Sequence, residues 1–402
     1  MADPSNPASA ASPDSHPLPR EGGRGEGGFL RGQVANNGDR QVAIVGGGPA
    51  GRALALALLR HGVGAEIFEA RDRESVRKDA RVLALSHGSR QILEWLGAWP
   101  SVAGAPIAAI HVSHKGGLGR TRMRAGDLGV AALGYVVPAA DLIATLDEEL
   151  RRQDIAYRES VKVSPGGTVP GHALTAWAEG VVDPAAATTR DYGQHAVLCN
   201  ATIAGRHGDV AYERFTGEGP LALLPLGNSG REFAVVLTVE SAQLDAVRAL
   251  DDAAFIEILR RRFGDRHRFI AVTPRVAYPL GLRWRQQPVG ERQVWLGNAA
   301  QTLHPVAGQG FNLALRDIWE LAQAIGQSAD PGDAAMLAAY ARGRQADRRG
   351  AIGFTNLLID AFASDFAPLR HARGAGLLAL DLLPPLRNFV ARRMMFGARV
   401  WP

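Results

Sequence analysis

Three glycines between two apolar runs have the spacing of a nucleotide-binding turn. Gly46, Gly48 and Gly51 follow the run Gln41 to Val45 directly and match G-x-G-x-x-G. The first glycine permits a tight turn, the second lets backbone approach a pyrophosphate, and the third lets a helix pack closely on the strand. Free N–H groups at the start of that helix favour phosphate. The pattern predicts a dinucleotide site.

An acidic residue closes the second apolar run. Ala65 to Phe68 predicts a second strand, and Glu69 follows it, roughly twenty residues after the glycines, where a carboxylate can hold a ribose diol. The chain has 47 glycines in 402 residues, so the glycine spacing alone is weak evidence for a nucleotide site. The predicted strand, helix and acid around it make the signal specific. NAD, NADP and FAD all remain candidates, and the acid disfavours the 2′-phosphate of NADP at this site.

A second loop near residue 300 could also hold a flat ligand. Gly297 to Asn312 follows an apolar strand and runs into a predicted helix, Leu313 to Ile325. Pro305 and the glycines Gly308 and Gly310 lie just before that helix. Such residues form loops whose backbone N–H groups can lie against a ligand.

His304 is the residue of this loop whose side chain could move a proton. Histidine titrates near neutral pH, so it could act as a base toward a phenol. The alternative is a loop histidine packed for hydrogen bonding, and both interpretations remain open.

The composition excludes several function classes. The chain has 45 Lys and Arg residues and 40 Asp and Glu residues, which gives a net charge of +5. This positive charge is spread too evenly along the chain to indicate nucleic-acid binding. The single cysteine, Cys199, excludes an internal disulfide and a multi-cysteine metal site, which favours a reducing, cytoplasmic compartment. Residues 1–39 are rich in Pro, Ser, Gly and charge and are predicted to be a disordered tail. No apolar run is long enough to span a bilayer.

Five longer segments carry a further signal, namely GNAAQTLHPVAGQGFNLALRD at 297–317, YERFTGEGPLALLPL at 212–226, LGYVV at 133–137, RVLALSHGSRQILEWLGAW at 81–99 and ALDLLPPLR at 379–387. Together these segments resemble the group A FAD-dependent aromatic hydroxylases, and among them the ubiquinone-biosynthesis branch, the 2-polyprenyl-6-methoxyphenol hydroxylases.

The fold class that the strand and helix pattern and the resemblance favour is α/β. We expect a Rossmann-like FAD-binding domain with an inserted, mostly antiparallel β-sheet substrate domain and a helical C-terminal tail. The expected ranges are 40–110, 133–200 and 290–350 for the FAD-binding domain, 111–132 and 201–289 for the substrate domain, and 351–402 for the C-terminal helices.

The resemblance also implies the ligands and the residues that hold them. FAD would be tightly bound, NAD(P)H would be a co-substrate without a dinucleotide domain of its own, and a polyprenylated phenol would be hydroxylated with O2. No metal is expected. By this likeness the FAD-binding residues are Gly46, Gly48, Gly51, Glu69, Arg81, Asn298, Gly308, Gly310, Phe311 and Asn312, with His304 and Pro305 as the catalytic positions.

One motif of the family is altered here. The family carries an apolar strand ending in Ala-Asp-Gly in mid-chain, whereas this chain has Ala178-Glu179-Gly180 and a short interval to Asp191. The Val/Leu-rich run before it is missing, so the strand beside the pyrophosphate is expected to be absent or rebuilt from unrelated residues. This departure favours an alternative hypothesis, a catalytically impaired homologue that serves as a structural member of a ubiquinone-synthesis assembly.

The C-terminal segment has a basic, amphipathic pattern. Leu386, Phe389, Val390 and Met394 would share one helical face, flanked by Arg387, Arg392, Arg393 and Arg399. Such a helix is typical of a membrane surface or a partner interface, which would place the protein peripherally at the inner face of a membrane. The alternative is a stripe that packs on the cofactor domain.

Overall fold

A computed structural model describes residues 40–99, 104–117, 119–180, 182–304, 308–363 and 367–398, and the side chains of 361–370 are not described. The predicted disordered tail at 1–39, Pro305 and Arg399 therefore lie outside the described residues.

The strands and helices alternate over the first half of the chain, and helices dominate its end. In chain order the strands are β1 (Val42–Val45), β2 (Ala65–Phe68), β3 (Val82–Ser86), β4 (Ala105–Ile107), β5 (Ala109–His114), β6 (Arg120–Arg124), β7 (Gly134–Pro138), β8 (Ala156–Arg158), β9 (Leu174–Trp177), β10 (Ala187–Ile203), β11 (Val210–Phe215), β12 (Leu221–Leu226), β13 (Glu232–Glu240), β14 (Phe269–Val272), β15 (Val276–Arg285), β16 (Val289–Gly290), β17 (Gln293–Trp295) and β18 (Gln301–Thr302). The helices are α1 (Pro49–Arg60), α2 (Arg73–Arg77), α3 (His87–Trp95), α4 (Ala139–Arg152), α5 (Leu244–Arg248), α6 (Asp252–Phe263), α7 (Gln309–Gln327), α8 (Ala334–Ala363), α9 (Ala367–Leu382) and α10 (Pro384–Phe396).

A six-stranded sheet carries the glycine turn. Its strand order is β16-β17-β9-β1-β2-β8, and β1 pairs in parallel with β2 on one side and β9 on the other. β1 is fully buried and apolar, as expected of a parallel strand covered on both faces. Helix α1 packs between α4 and α7, and Ala53, Leu54 and Leu58 are buried in this core.

A larger, mostly antiparallel sheet lies in the middle of the chain. Its order is β18-β15-β10-β13-β12-β11-β5-β6, with β14 also paired to β10. A third, three-stranded sheet has the order β3-β7-β4. The predicted α/β class, with an inserted sheet and a helical C-terminal region, is confirmed.

The mid-chain strand that the sequence seemed to lack is present. Leu174, Thr175, Ala176 and Trp177 form β9, are all buried, and pair in parallel with β1 in the register Val42↔Leu174 to Val45↔Trp177. Of the two expected outcomes, an absent strand was wrong and a rebuilt strand is observed, because pairing with β1 and β17 on either side stabilises a strand without a Val/Leu run.

Two other expectations are refined by the structure. The boundary expected at residue 200 falls inside β10, which begins at Ala187 and belongs to the large sheet over its whole length. The C-terminal stripe is only partly exposed, since Leu386 and Phe389 on α10 are exposed whereas Val390 and Met394 are partly buried, and Ala391 and Met395 beside them are buried.

Candidate active site

The glycine turn packs against the altered mid-chain segment. Gly46 has φ +112°, and a Cβ there would lie 2.8 Å from the carbonyl carbon and oxygen of Ala178 and from the amide nitrogen of Glu179. A Cβ on Gly51 would overlap the carbonyl oxygen of Gly46. A Cβ on Gly48 would meet no atom within 4 Å, so this glycine faces open space. The turn therefore leaves one side clear for a ligand at the start of α1.

Glu69 lies at the end of β2 beside this turn. Its Oε2 accepts a hydrogen bond from the Gly47 amide at 2.7 Å, and its Oε1 accepts from the Arg71 amide at 3.0 Å and from Arg71 Nε at 3.2 Å. The residue is 5% exposed. The carboxylate thus orients the turn and lines the open space in front of it.

A buried arginine supports the turn from behind, and the sequence analysis missed it. Arg52 is completely buried, and its guanidinium donates to the carbonyl oxygen of Gly47 and to Asp147 Oδ1. Arg73 donates to the same carboxylate oxygen at 2.7 Å, and both guanidinium groups lie over the Tyr157 ring, 5.0 Å from its centroid for Arg52 and 4.3 Å for Arg73. A charged residue among the small and apolar residues at the start of α1 was the available clue.

The second loop approaches the same space from the other side. Asn298 lies in a 3₁₀ turn, Gly297–Ala299, and Gly308 caps α7 in the left-handed region at φ +60°. Gly310 and Phe311 follow in the first turn of α7, whose free N–H groups form a second helix N-terminus.

Asn312 has a structural role through its side chain. Its Oδ1 accepts from the Ser86 amide at 2.8 Å and from Ser89 Oγ at 2.7 Å. Its Nδ2 donates to the carbonyl oxygens of Ala84 and Gly308. The amide thereby fixes the start of α7 to β3.

A cavity of about 820 Å³ joins these parts. The lining includes most of the predicted binding residues, namely Gly46, Gly48, Glu69, Arg81, Asn298, Gly308, Gly310 and Phe311. Gly51, Asn312 and His304 are not among its lining residues, and Gly51 instead provides the close contact between helix and turn. Its volume lies within the range of about 300–1,000 Å³ that is typical of ligand sites.

The large sheet forms the apolar wall of this cavity. Leu198, Leu224 and Val236 line it from β10, β12 and β13, and Tyr278 lines it from β15. Which residues of these strands face the cavity could not be predicted from the sequence, because that depends on the register between strands.

Charged groups among the cavity-lining residues have raised pKa values. Arg81 pairs with Asp79, with 2.6 Å between Nη2 and Oδ2, and this hydrogen bond raises the pKa of Arg81. Burial, and then the nearby Glu69, raise the pKa of Glu179, which stands where the family has aspartate. Two carboxylates therefore lie beside the glycine turn.

His304 is buried, at 2% exposure. Burial lowers its pKa to about 4, so the imidazole is neutral at physiological pH. Its ring contacts the Tyr192 ring edge-on, with 5.6 Å between centroids.

The residues present fit FAD. The clear approach at Gly48, the acid at Glu69 and two helix N-termini facing one cavity suit a dinucleotide with a pyrophosphate at its centre. A family described as FAD binding domain matches residues 39–165 and 166–355. The chain belongs to this FAD-binding family.

Two relatives of this FAD-binding protein are named as hydroxylases of ubiquinone or its precursors. Ubiquinone hydroxylase UbiL of Rhodospirillum rubrum is 31% identical, over 96% of this chain and 97% of that protein. The 3-demethoxyubiquinol 3-hydroxylase of Escherichia coli is 27% identical, over 85% of this chain and 94% of that protein. The resemblance to the ubiquinone-biosynthesis hydroxylases is confirmed, and neither these relatives nor the intact β9 supports a catalytically impaired homologue.

Solved structures agree on the fold. The PqsL structure from P. aeruginosa in complex with 2-aminobenzoylacetate has a TM-score of 0.69 at 19% identity, over 84% of this chain and 99% of that one. The p-nitrophenol 4-monooxygenase PnpA from Pseudomonas putida also has a TM-score of 0.69, at 16% identity, over 89% of this chain and 98% of that one.

Proposed function

We propose that this FAD-binding protein is a monooxygenase that hydroxylates a polyprenylated phenol in ubiquinone biosynthesis, using O2 and NAD(P)H. The observation that carries the proposal is one continuous cavity, bounded by the glycine turn and the start of α7 on one side and by an apolar sheet wall on the other. A cofactor and an apolar aromatic substrate can meet there.

FAD, when bound, supplies the redox chemistry, and the protein supplies position and a dry environment. We propose that Gly46, Gly48 and Gly51 shape the pyrophosphate site and that Glu69 binds the ribose. Arg81, Asn298 and the start of α7 from Gly308 to Asn312 would hold the remainder of the cofactor.

The apolar wall of the cavity would contact the substrate. Leu198, Leu224 and Val236 present hydrocarbon to the cavity, so they can pack on an aromatic ring and exclude water from it. Pro305 remains a proposed neighbour of the substrate. His304 remains a proposed base, although a histidine with a pKa of about 4 is a weak acceptor for a phenol proton.

The C-terminal helices offer a surface for a membrane, where a polyprenyl tail would reside. Leu378 and Leu382 on α9, Leu383 between the helices, and Leu386 and Phe389 on α10 are all exposed, by 42–66%. Isolated exposed leucines are ordinary, but four leucines and a phenylalanine within twelve residues form an apolar patch. We define these five as the apolar corner. No helix in the described ranges is long and apolar enough to cross a bilayer, and the apolar corner supports peripheral association.

An absorbance spectrum of the purified protein tests the function. The bands of bound flavin should be present or appear with added FAD, bleach with NADH or NADPH, and recover in air with hydroxylation of a 2-prenylated phenol. A protein that takes up no FAD would contradict the proposal, and so would a reduced flavoprotein that yields no hydroxylated product.

A further inference from the structure

A small second cavity lies where β3, the edge of the large sheet and α10 meet. Its volume is about 70 Å³, against about 820 Å³ for the large cavity. A single water molecule needs about 10–15 Å³, so this space has room for several waters or for a few carbon atoms of a narrow chain. It is too small for a flavin or for a second nucleotide.

The wall of the small cavity is mostly hydrocarbon. Leu85 lines it from β3, Ile107 from β4 and Ile110 from β5, and Leu133 lines it just before β7. An apolar cavity that stays empty lowers the stability of a fold, because the side chains around it lose contacts on one side. An apolar ligand would restore those contacts.

The polar side chains of this wall already bond to the protein. Asn312 accepts from the Ser86 amide at 2.8 Å and from Ser89 Oγ at 2.7 Å, and Ser86 Oγ accepts from the Ser89 amide at 3.2 Å. Gln309 Nε2 donates to the carbonyl oxygen of Met394 at 3.4 Å. A ligand in the small cavity therefore needs no polar group of its own.

Methionine side chains form the part of the wall that can adapt. Met123 lines the small cavity from β6, and Met394 and Met395 line it from α10. These are three of the five methionines in the chain. Ala391 lies on the same face of α10, three and four residues before the last two. Because methionine is unbranched and flexible, it adjusts to apolar ligands of variable shape. The wall therefore suits a flexible hydrocarbon chain.

The small cavity adjoins the large one. Ala84 lines both, and different residues of the first turn of α7 line each of them. Leu224, which lines the large cavity from β12, packs in one hydrophobic cluster with Ile107 and Met123 of the small cavity. A ligand with an aromatic ring in the large cavity could therefore extend a side chain into the small one.

Helix α10 also carries part of the apolar corner. Leu386 and Phe389 precede Ala391 by five and two residues, and both are exposed. At a rise of about 1.5 Å per residue, they lie within about 8 Å of Ala391 along the helix axis. An apolar chain that leaves the small cavity along α10 meets exposed hydrocarbon within about two helical turns.

We propose that the small cavity binds the part of the substrate's isoprenoid chain that is nearest the ring, while the ring lies in the large cavity. The chain would pass Ala84, fill the space beside Ala391 and the methionines, and continue along α10 to the apolar corner. Binding would be stabilised because hydrocarbon of the chain leaves water. This inference rests on the proposed function, because it locates the chain of that function's substrate.

The test uses the full-length, FAD-loaded protein and two phenols, 2-prenylphenol with one isoprene unit and 2-methylphenol with none. Ala391→Phe fills the small cavity, so it should raise KM for 2-prenylphenol by about 10-fold or more. Its FAD content, its kcat and its KM for 2-methylphenol should remain those of wild type. Ala375→Leu, at an exposed alanine on α9, is the matched control and should change neither KM.

A second variant keeps the size of the side chain and changes its polarity. Met394→Gln places an amide in the apolar wall, so it should raise KM for 2-prenylphenol several-fold and leave KM for 2-methylphenol unchanged. It gives an answer even if the larger side chain of Ala391→Phe prevents folding. An unchanged KM for 2-prenylphenol in Met394→Gln and in any folded Ala391→Phe protein overturns the inference.

Binding of a chain without the aromatic ring separates this inference from the proposed function. Geraniol consists of two isoprene units and a hydroxyl group, and calorimetric titration measures its binding without turnover. Wild type should bind geraniol, and Met394→Gln and Ala391→Phe should bind it more weakly. Equal binding by all three proteins would contradict the assigned site. If wild type hydroxylates neither phenol but binds geraniol in a way that depends on Ala391 and Met394, the proposed function fails and the inference stands.

Discussion

The guanidinium of Arg52 lies 3.2 Å from the carboxylate of Asp147, and both side chains are almost completely buried. Burial lowers the pKa of Arg52, and the nearby Tyr157 and Asp147 oppose that effect. Because Arg52 also donates to the carbonyl oxygen of Gly47, the pair links α1 and α4 to the turn that faces the cavity. The turn is therefore fixed by a pair of residues that do not themselves line the cavity.

Replacing Arg52 should destabilise the fold and weaken FAD binding together. Arg52→Met leaves Asp147 buried with only Arg73 and Arg151, and loss of a buried partner should cost about 3 kcal/mol. Arg151 pairs with the same carboxylate, but its side chain is 60% exposed. Arg151→Met should therefore cost under about 1 kcal/mol of unfolding free energy. Denaturant unfolding measures both, and equal losses would contradict the assigned role of Arg52.

Gly48→Val should remove FAD while leaving the fold intact. A side chain here meets no protein atom, so it projects into the space that the pyrophosphate would occupy. The flavin content of the purified protein should fall below about one tenth of wild type, with little change in thermal unfolding of the apoprotein. Gly126→Val, also in open space but in the turn after β6, is the control. A yellow Gly48→Val protein would refute the placement of the pyrophosphate.

Glu179→Gln should bind FAD several-fold more tightly than wild type at pH 8. The change removes one of two carboxylates beside the turn, and a phosphate group is repelled by both. The advantage should shrink as the pH falls toward the raised pKa of Glu179, where the wild-type side chain becomes neutral too. Titration of apoprotein with FAD at several pH values measures this, and a Glu179→Gln variant that binds more weakly would indicate a direct role for the acid.

Two buried histidines should make the fold sensitive to acid. Burial lowers the pKa of His304 to about 4, and burial with nearby arginines, first Arg266, lowers that of His111 to about 4. A lowered folded-state pKa means that stability is complete above the unfolded value of 6.5 and is lost as the pH falls from there toward 4. Each histidine should cost about 2 kcal/mol at pH 5.

Denaturant unfolding at pH 7.5 and pH 5 measures this loss of stability. His111→Gln should reduce the loss between the two pH values, whereas His371→Gln, an exposed residue on α9, should leave it unchanged. An identical loss in wild type and His111→Gln would show that this histidine stays uncharged or remains solvated.

Point substitutions in the apolar corner should weaken membrane association. Leu382→Ser with Leu386→Ser removes the most exposed residue and one on the adjoining helix, so the protein should shift from pellet to supernatant when mixed with vesicles containing anionic lipid. Ile270→Ser, an exposed isoleucine on β14, is the control. Deletion of α10 is unsuitable, since it would remove the buried Ala391 and Met395. If the wild-type protein does not bind vesicles that contain no other protein, this result would favour a protein partner for the apolar corner instead.

The sequence predicted best what depends on local chemistry. The glycine turn, the acid after β2 and the loop before α7 each consist of neighbouring residues whose spacing specifies their conformation, and the structure brings them to one cavity. The family resemblance added the fold of the middle sheet.

What the sequence could not predict depends on pairing between distant segments. Strand β9 has no distinctive run of its own and exists because β1 and β17 flank it. The partners Arg52 and Asp147 are 95 residues apart, and nothing in either segment indicates the other. Leu224 lies in a motif that matched the family, but the face on which it lies follows only from the register of β12 with its neighbours.

The passage of the chain from β9 to β10 takes only residues 178–186 and joins the sheet of the glycine turn to the sheet that forms the cavity wall. The first residue of this connection, Ala178, lies with its backbone against Gly46. The residue that leaves one sheet therefore also packs on the glycine turn, so a substitution that displaces Ala178 would disturb the turn directly.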